Sequence, residues 1–342
     1  MKKGSIIQRL QKGIVLGGEG YLFELERRGY IKAGAYVPEV VLDFPDALKE
    51  LHREFLRAGA ETMVAFTYYA HRDKMRIIGR EKDLKPLNVN ALRIAKEIAE
   101  EGNALVAGNI CNTWAYDPAN KEETGKVVRQ MYEEQVGWAK EEGADFIIAE
   151  TIEYVGEALI ALEVIKKYNL PAMVTFATTY EKSKDGVDWI EGCQMLESKG
   201  ADVVGFNCIR GPQTMLPMLR KLRKAVKCYV AAQPVPYNTT EKYPAFQFLK
   251  DRYGENAYTL ALEQHLLSRF EMAKFAKDAQ EIGVNYIGIC CGGAPYHVRA
   301  MAEALGRVVP ASKYSADMSQ HGMLGSSKIV KKHEKAFLEK WK

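Results

Sequence analysis

No stretch of this 342-residue chain approaches the ~18 consecutive apolar residues that a membrane-spanning helix needs, so no membrane role is expected. The start, Met1 to Arg9, is charged and lacks the apolar core of a secretory leader, and a cytoplasmic location is the expectation. Histidine is scarce: six residues, none in an H-x-H or H-E-x-x-H arrangement, which argues against a His-ligated metal hydrolase. No G-x-G-x-x-G follows the first expected strand, which weakens a dinucleotide-binding open sheet. There is no Ser-, Pro- or Gly-rich linker and no short repeat to announce a second domain. Excess charge is missing too. The net +4 sits entirely in residues 311–342, which hold seven Lys against three acids, so the body is neutral and no nucleic-acid partner is expected.

What the chain does have is alternation. Eight short apolar runs occur at residues 13–20, 62–71, 104–110, 146–151, 172–178, 202–208, 228–234 and 286–292. They are rich in Val, Ile, Phe and Ala without strict polar alternation, as parallel strands buried on both faces should be. Amphipathic helical patterns lie between them, near residues 44–56, 88–101, 122–142, 153–167, 189–199, 214–226, 260–282 and 295–305. Gly143, Gly200 and Gly283 stand where helices hand over to strands, as C-cap glycines do. Eight strand–helix units predict an α/β protein, a (β/α)8 TIM barrel over residues 1–309. Residues 310–342 form a short C-terminal extension. Its end, Lys328–Lys342, reads as a basic amphipathic helix with Ile329, Phe337 and Trp341 for docking, and it is expected at the interface of a homo-oligomer.

Six cysteines in a reducing compartment point to metal or catalytic chemistry rather than bridges. Cys208 closes the sixth run and Cys290 and Cys291 close the eighth, which puts all three at the C-terminal ends of barrel strands, the active-site face. Neighbouring residues of a regular strand point to opposite faces. Cys290 and Cys291 therefore converge only past the strand end, where Gly292-Gly293 frees the backbone. Three thiolates and one vacant position describe a catalytic zinc site, and the soft donors favour zinc or iron over magnesium or calcium. A non-catalytic thiol–metal or redox-sensing protein would use the same three thiols. Cys111, Cys193 and Cys228 read as small core hydrophobes.

Gly205-Phe206-Asn207-Cys208 followed by Gly288-Ile289-Cys290-Cys291-Gly292-Gly293 resembles the zinc-dependent homocysteine S-methyltransferases, above all the betaine–homocysteine branch. The likeness runs from about Gly13 to Leu305 and includes Glu26–Gly34, Leu51–Gly59, Ala65–Ala70, Ala104–Gly108 and Pro295-Tyr296-His297. The resemblance implies a (β/α)8 barrel that moves a methyl group from a small carboxylate-bearing onium donor, glycine betaine by family, to homocysteine, giving methionine. It implies zinc on Cys208, Cys290 and Cys291, with the homocysteine thiol at the open position and Tyr69 filling that position without substrate. Coordination lowers the thiol pKa, so the nucleophile is a thiolate at neutral pH. Glu150 matches the carboxylate that binds the amino group, which the longer arm of Glu19 could also reach; the end of the first strand, Gly17-Gly18-Glu19-Gly20, is expected to offer N–H groups to the substrate carboxylate, and Thr67 to add a hydroxyl.

The chain departs from the branch in three places. The usual Asp-Gly-Gly is Gly18-Glu19-Gly20 here, which moves the acid by one position. Of the aromatic cage that holds a quaternary cation, Tyr69 is kept, a Trp becomes Tyr36 and a Tyr becomes Thr151. Trp114 and Tyr116, after the third run, are placed to rebuild the cage from another side. A smaller cage would suit a sulfonium donor such as dimethylsulfoniopropionate, the alternative to betaine. The donor carboxylate needs a positive partner, for which Arg210 is the candidate.

Overall fold

Each of the eight apolar runs supplies one strand of a parallel barrel. The computed structural model describes residues 3–31, 37–258 and 261–317, together with Ser319, Ala336 and Glu339. The strands are β1 (Val15–Leu16), β2 (Thr62–Val64), β3 (Leu105–Cys111), β4 (Phe146–Ile152), β5 (Ala172–Phe176), β6 (Val203–Asn207), β7 (Tyr229–Gln233) and β8 (Tyr286–Ile287). Their order, β1-β8-β7-β6-β5-β4-β3-β2, is that of a (β/α)8 barrel. The seam between β1 and β2 is closed by a single parallel bridge, Gly17 to Thr62. There the Glu61 N–H donates to Leu16 O at 2.8 Å and the Leu16 N–H donates to a Glu61 carboxylate oxygen at 2.9 Å, so a side chain completes the ladder.

Twelve helices cover the described barrel: α1 (Ile6–Lys12), α2 (Tyr21–Arg27), α3 (Val40–Asp43), α4 (Pro45–Arg57), α5 (Arg72–Ile77) and α6 (Leu84–Glu101), then α7 (Lys121–Glu141), α8 (Val155–Lys167), α9 (Trp189–Ser198), α10 (Pro212–Ala225), α11 (Arg269–Ile282) and α12 (Pro295–Ala304). None is long and apolar enough to cross a membrane. α4 shows the local logic. Pro45 opens it, Asp46 complements its dipole, and Leu48, Leu51, His52 and Phe55 recur at helical spacing to form its buried stripe. Gly143, Gly200 and Gly283 take φ of +82°, +91° and +89°, the left-handed conformation expected after a helix end.

Two departures have clear causes. α11 begins at Arg269, not near residue 260, because Ser268 and Glu271 form a capping box that sets the start, and the preceding Leu262–His265 is a separate 3-10 turn. α1 arises from a second capping box, Ser5 with Gln8, a signal present in the sequence but not read from periodicity. Beyond α12 the chain makes a 3-10 turn at Pro310–Tyr314. The helix expected over residues 328–342 lies, apart from Ala336 and Glu339, outside the described residues.

His52 gives the fold an acid limit. It is fully buried in α4, 4.6 Å centroid to centroid from the Tyr21 ring, with neither ring nitrogen hydrogen-bonded among the described residues. Burial lowers its pKa from 6.5 to about 3. The unfolded chain binds a proton there below pH 6.5 that the folded chain refuses, so this contribution is whole above pH 6.5 and is lost as pH falls towards 3. Urea unfolding across this range is expected to show a flatter acid limb in His52→Leu, by about 2–4 kcal/mol; equal slopes would contradict it.

Candidate active site

Cys208 follows β6 directly, and both it and Ile209 sit at φ +54°. Two consecutive non-glycine residues in the left-handed region store strain that a functional site commonly holds. Cys290 and Cys291 lie three and four residues past the end of β8, followed by Gly292 at φ +86°, where a Cβ would stand 2.4 Å from the Tyr237 hydroxyl. This bend brings both sulfurs to Cys208: the three Sγ atoms lie within 4.8 Å of one another. Hydrogen bonds from Cys290 and Cys291 pull the Cys208 thiol well below its ordinary pKa, while the same bonds to Cys208 raise the other two. One thiolate forms readily and three do not, unless a cation stands among them. Three cysteine sulfurs clustered in this way form a donor set that fits a soft divalent metal with one position left open.

Beside the sulfurs lies a small inner cavity lined by Glu19, Gly20, Tyr21, Asn109, Glu150 and Cys290, among others. Glu150 and Glu19 are both buried here. Asn109 Nδ2 donates to one Glu150 oxygen at 2.6 Å and Asn207 Nδ2 to the other at 3.0 Å; Gln233 Nε2 donates to Glu19 at 2.6 Å. Burial raises the Glu150 pKa to about 8, and Cys290 adds to the rise. Burial, then repulsion from Glu150, holds Glu19 well above the carboxylate range. Two acids so placed resist ionising until a cation arrives. Among the described residues the side-chain oxygens of Asn109 and Gln233 have no partner, which leaves two acceptors free. At about 40 Å³ the cavity holds a water or two, so an amino acid enters only if its lining parts.

An outer chamber of about 390 Å³ opens on the other side of Cys291 and Thr151, lined by Tyr69, Lys74, Trp114, Glu153, Lys184 and Cys208, among others. Tyr69 and Trp114 meet at 88° with centroids 5.9 Å apart, and Trp114 Nε1 donates to the Tyr69 hydroxyl at 3.0 Å. Both take left-handed φ, +58° and +64°. Buried Glu157 accepts from the Thr113 N–H at 2.8 Å and its hydroxyl at 2.6 Å, which anchors the loop carrying Trp114.

The fold thus gathers Glu19, Gly20, Glu150, Thr151 and the three cysteines around the two chambers, with Tyr69 and Trp114 in the outer one. At Gly20 a side chain is excluded, since a Cβ would lie 2.7 Å from Gly293 O and 3.0 Å from Cys290 O. Glu150 does not end β4; the pairing with β5 shifts register between Ala149 and Ile152, and this irregularity with Thr151 at φ +58° turns both side chains to the site. Thr67 is one layer behind, its hydroxyl donating to Asn109 O at 2.6 Å. Arg210 is not brought in: its Nε donates to Thr178 O at 2.7 Å, and it lines neither chamber. Tyr116 packs against Tyr154, away from Trp114's corner. Tyr36 lies outside the described residues.

Sequence reasoning missed Asn109, Asn207, Gln233, Tyr68 and Lys74. The signal for the three amides was a lone amide near the end of a continuously apolar run, a polar group that burial forces to find partners. Asn207 is the hub. Its Oδ1 accepts from the Thr151 N–H at 2.8 Å and the Thr175 hydroxyl at 2.9 Å, and its Nδ2 reaches Glu150 and, at 2.8 Å, the Thr151 hydroxyl. Tyr68 lines both chambers, and after burial and Tyr69 the charges of Cys111, Cys208 and Cys291 raise its phenol.

The sequence profile of the homocysteine S-methyltransferase family matches residues 15–305. The chain is 36% identical to the S-methylmethionine–homocysteine S-methyltransferase of Rattus norvegicus, covering 95% of this chain and 87% of that one. It is also 36% identical to betaine–homocysteine S-methyltransferase 1 of Xenopus tropicalis, covering 95% and 80%. Among solved structures, the metallated homocysteine methyltransferase MmuM of Escherichia coli superposes with a TM-score of 0.67 at 20% identity, over 85% of this chain and 96% of that one, a likeness of fold.

Removing the hub has a defined cost. Asn207→Ala strands buried partners on β4 and β5 and is expected to lower stability by about 2–4 kcal/mol, against about 1 kcal/mol for Thr175→Val, which loses one bond without an orphan. Denaturant unfolding of the two variants measures the difference, and equal losses would remove Asn207 from that role.

Proposed function

The chain belongs to the homocysteine S-methyltransferase family, and on that premise we propose that it transfers a methyl group from a small carboxylate-bearing onium donor to homocysteine, producing methionine. The observation that carries this reading is a cluster of three thiols, Cys208, Cys290 and Cys291, two of which line the same inner cavity as a pair of buried carboxyls. An α-amino acid that ends in a thiol spans those two features. Its ammonium meets Glu150 and Glu19 and supplies the cation that lets the pair ionise; its sulfur is turned towards Cys208, Cys290 and Cys291. Burial strengthens the ammonium–carboxylate attraction, because few waters remain to screen it. The carboxylate of the substrate lies towards the Gly20 backbone at the start of α2, where free N–H groups and the helix dipole favour an anion.

Zinc is the ion we assign to the three cysteines, and when bound it supplies the positive charge that keeps a substrate thiol ionised at neutral pH. The rest is done by the chain. Asn207 holds Glu150 and Thr151 in register, and the strained turn at Cys208 sets its sulfur beside those of Cys290 and Cys291. The donor enters the outer chamber with its methyl group towards those sulfurs, and the Tyr69–Trp114 corner receives its positive charge. The homocysteine sulfur attacks the methyl carbon in line. A carbon–sulfur bond forms, the bond from methyl to nitrogen or sulfur breaks, and its electron pair leaves with a neutral amine or sulfide. No proton moves in that step.

Betaine is our first donor. S-methylmethionine is the second reading, since relatives bearing either name match equally. All six cysteines are free, the state a reducing cytoplasm maintains, and we place the protein there as a homo-oligomer with its extension at the interface.

The test is methionine formation from homocysteine by zinc-assayed protein with betaine, S-methylmethionine or dimethylsulfoniopropionate. Turnover is expected with betaine. Glu150→Gln is expected to raise the KM for homocysteine about tenfold or more. Cys290→Ala is expected to lose most bound zinc, read directly as metal content, and activity by about a hundredfold or more. No methionine from any donor with the metal fully bound would overturn the assignment in favour of a non-catalytic thiol–metal protein.

A further inference from the structure

The outer chamber already contains a cation. Lys74 reaches into it from α5, with its ammonium 4.5 Å from the centroid of Tyr69 and 4.2 Å from that of Trp114. The residue is only 9% exposed, and among the described residues no carboxylate lies within ion-pair distance of it. The other lysine lining the chamber, Lys184, is neutralised by Glu153 at 2.6 Å. Arg210 is spent on Thr178. Lys74 is therefore the uncompensated positive charge of this chamber among the described residues, parked on the two rings for want of an anion.

That position is the one an onium group would seek, because the two rings present their negative faces there. Two cations cannot share it in a half-buried chamber without strong repulsion. A donor that carries only positive charge must therefore expel the ammonium and offer it nothing. A donor that also carries a carboxylate resolves the conflict: its onium group takes the rings, and its carboxylate pairs with the displaced ammonium on the flexible lysine stem. We propose that Lys74 reads the carboxylate of the methyl donor, so that the chamber selects zwitterionic donors over purely cationic ones. This rests on the reading that the donor occupies the outer chamber, and it replaces Arg210 as the positive partner.

The test compares betaine with tetramethylammonium, which keeps the trimethylammonium head and lacks the carboxylate. Calorimetric binding to the zinc-loaded protein without homocysteine, so that no turnover intervenes, gives both affinities in the wild type, Lys74→Met and Lys74→Arg. Lys74→Met keeps the apolar stem and is expected to weaken betaine about tenfold or more while tightening tetramethylammonium, because the rings are vacated. Lys74→Arg, which keeps the charge, is expected to restore betaine binding in large part. In turnover, Lys74→Met should raise the KM for betaine far more than that for trimethylsulfonium. Equal weakening of both ligands, or betaine affinity unchanged in Lys74→Met, would overturn the proposal. A wild-type protein that binds betaine in preference to tetramethylammonium but makes no methionine would defeat the functional reading and leave that of Lys74 standing.

Discussion

Three sulfurs held within 4.8 Å in a buried site cannot all be anions on their own, and this constraint organises the rest of the centre. To gather them the chain accepts two successive left-handed residues after β6 and a bend past β8 that only glycine permits at Gly292. Gly20 must lie against the carbonyls of Cys290 and Gly293, which ties the end of β1 to the same bend. A side chain at Gly20 or Gly292 would push the thiol loop outwards. The strain at Cys208 and the close approaches around it are parts of one device for bringing thiols together.

A second frustrated group stands next to the first. Glu19 and Glu150 are buried, which raises both carboxyls, and Cys290 raises them further. In both cases burial keeps acidic groups from ionising fully, and in the proposed reaction a cationic visitor relieves this: a metal ion for the thiols, an ammonium for the carboxyls. The outer chamber inverts the sign. There an ammonium, Lys74, rests on two aromatic faces with no anion beside it among the described residues. A metal, an amino acid and a zwitterionic donor each bring the charge that one of these three places lacks, which is the physical sense in which the site is prepared for the proposed reaction.

Much of the frame was legible in the residues because its causes are local. Continuous apolar runs become strands buried on both faces, a glycine after an amphipathic stretch becomes a left-handed helix end, and Pro45 with Asp46 opens a helix wherever the helix then packs. The late start of α11 and the presence of α1 were also written locally, in the capping boxes at Ser268 and Ser5, but periodicity alone does not read caps. The site was legible only where a residue type is chemically conspicuous. Three cysteines at strand ends announce themselves; Asn207, which holds Glu150 and Thr151, does not, because an amide becomes a hub only through the partners that burial puts around it.

The sequence by itself determined the eight-unit barrel and the end of it on which the chemistry sits, since strand burial, helix periodicity and the place of a cysteine at a strand end depend on neighbours a few residues away. Only the tertiary structure decided which side chains meet. The pairing of Glu19 with Glu150, the shift in β4 that turns Thr151 towards Asn207, the exclusion of Arg210 and the seating of Lys74 on Tyr69 and Trp114 all depend on strand register and on φ at single residues. Those are settled by closing the barrel, when every buried polar group must find a partner at once, and no local pattern encodes that collective condition.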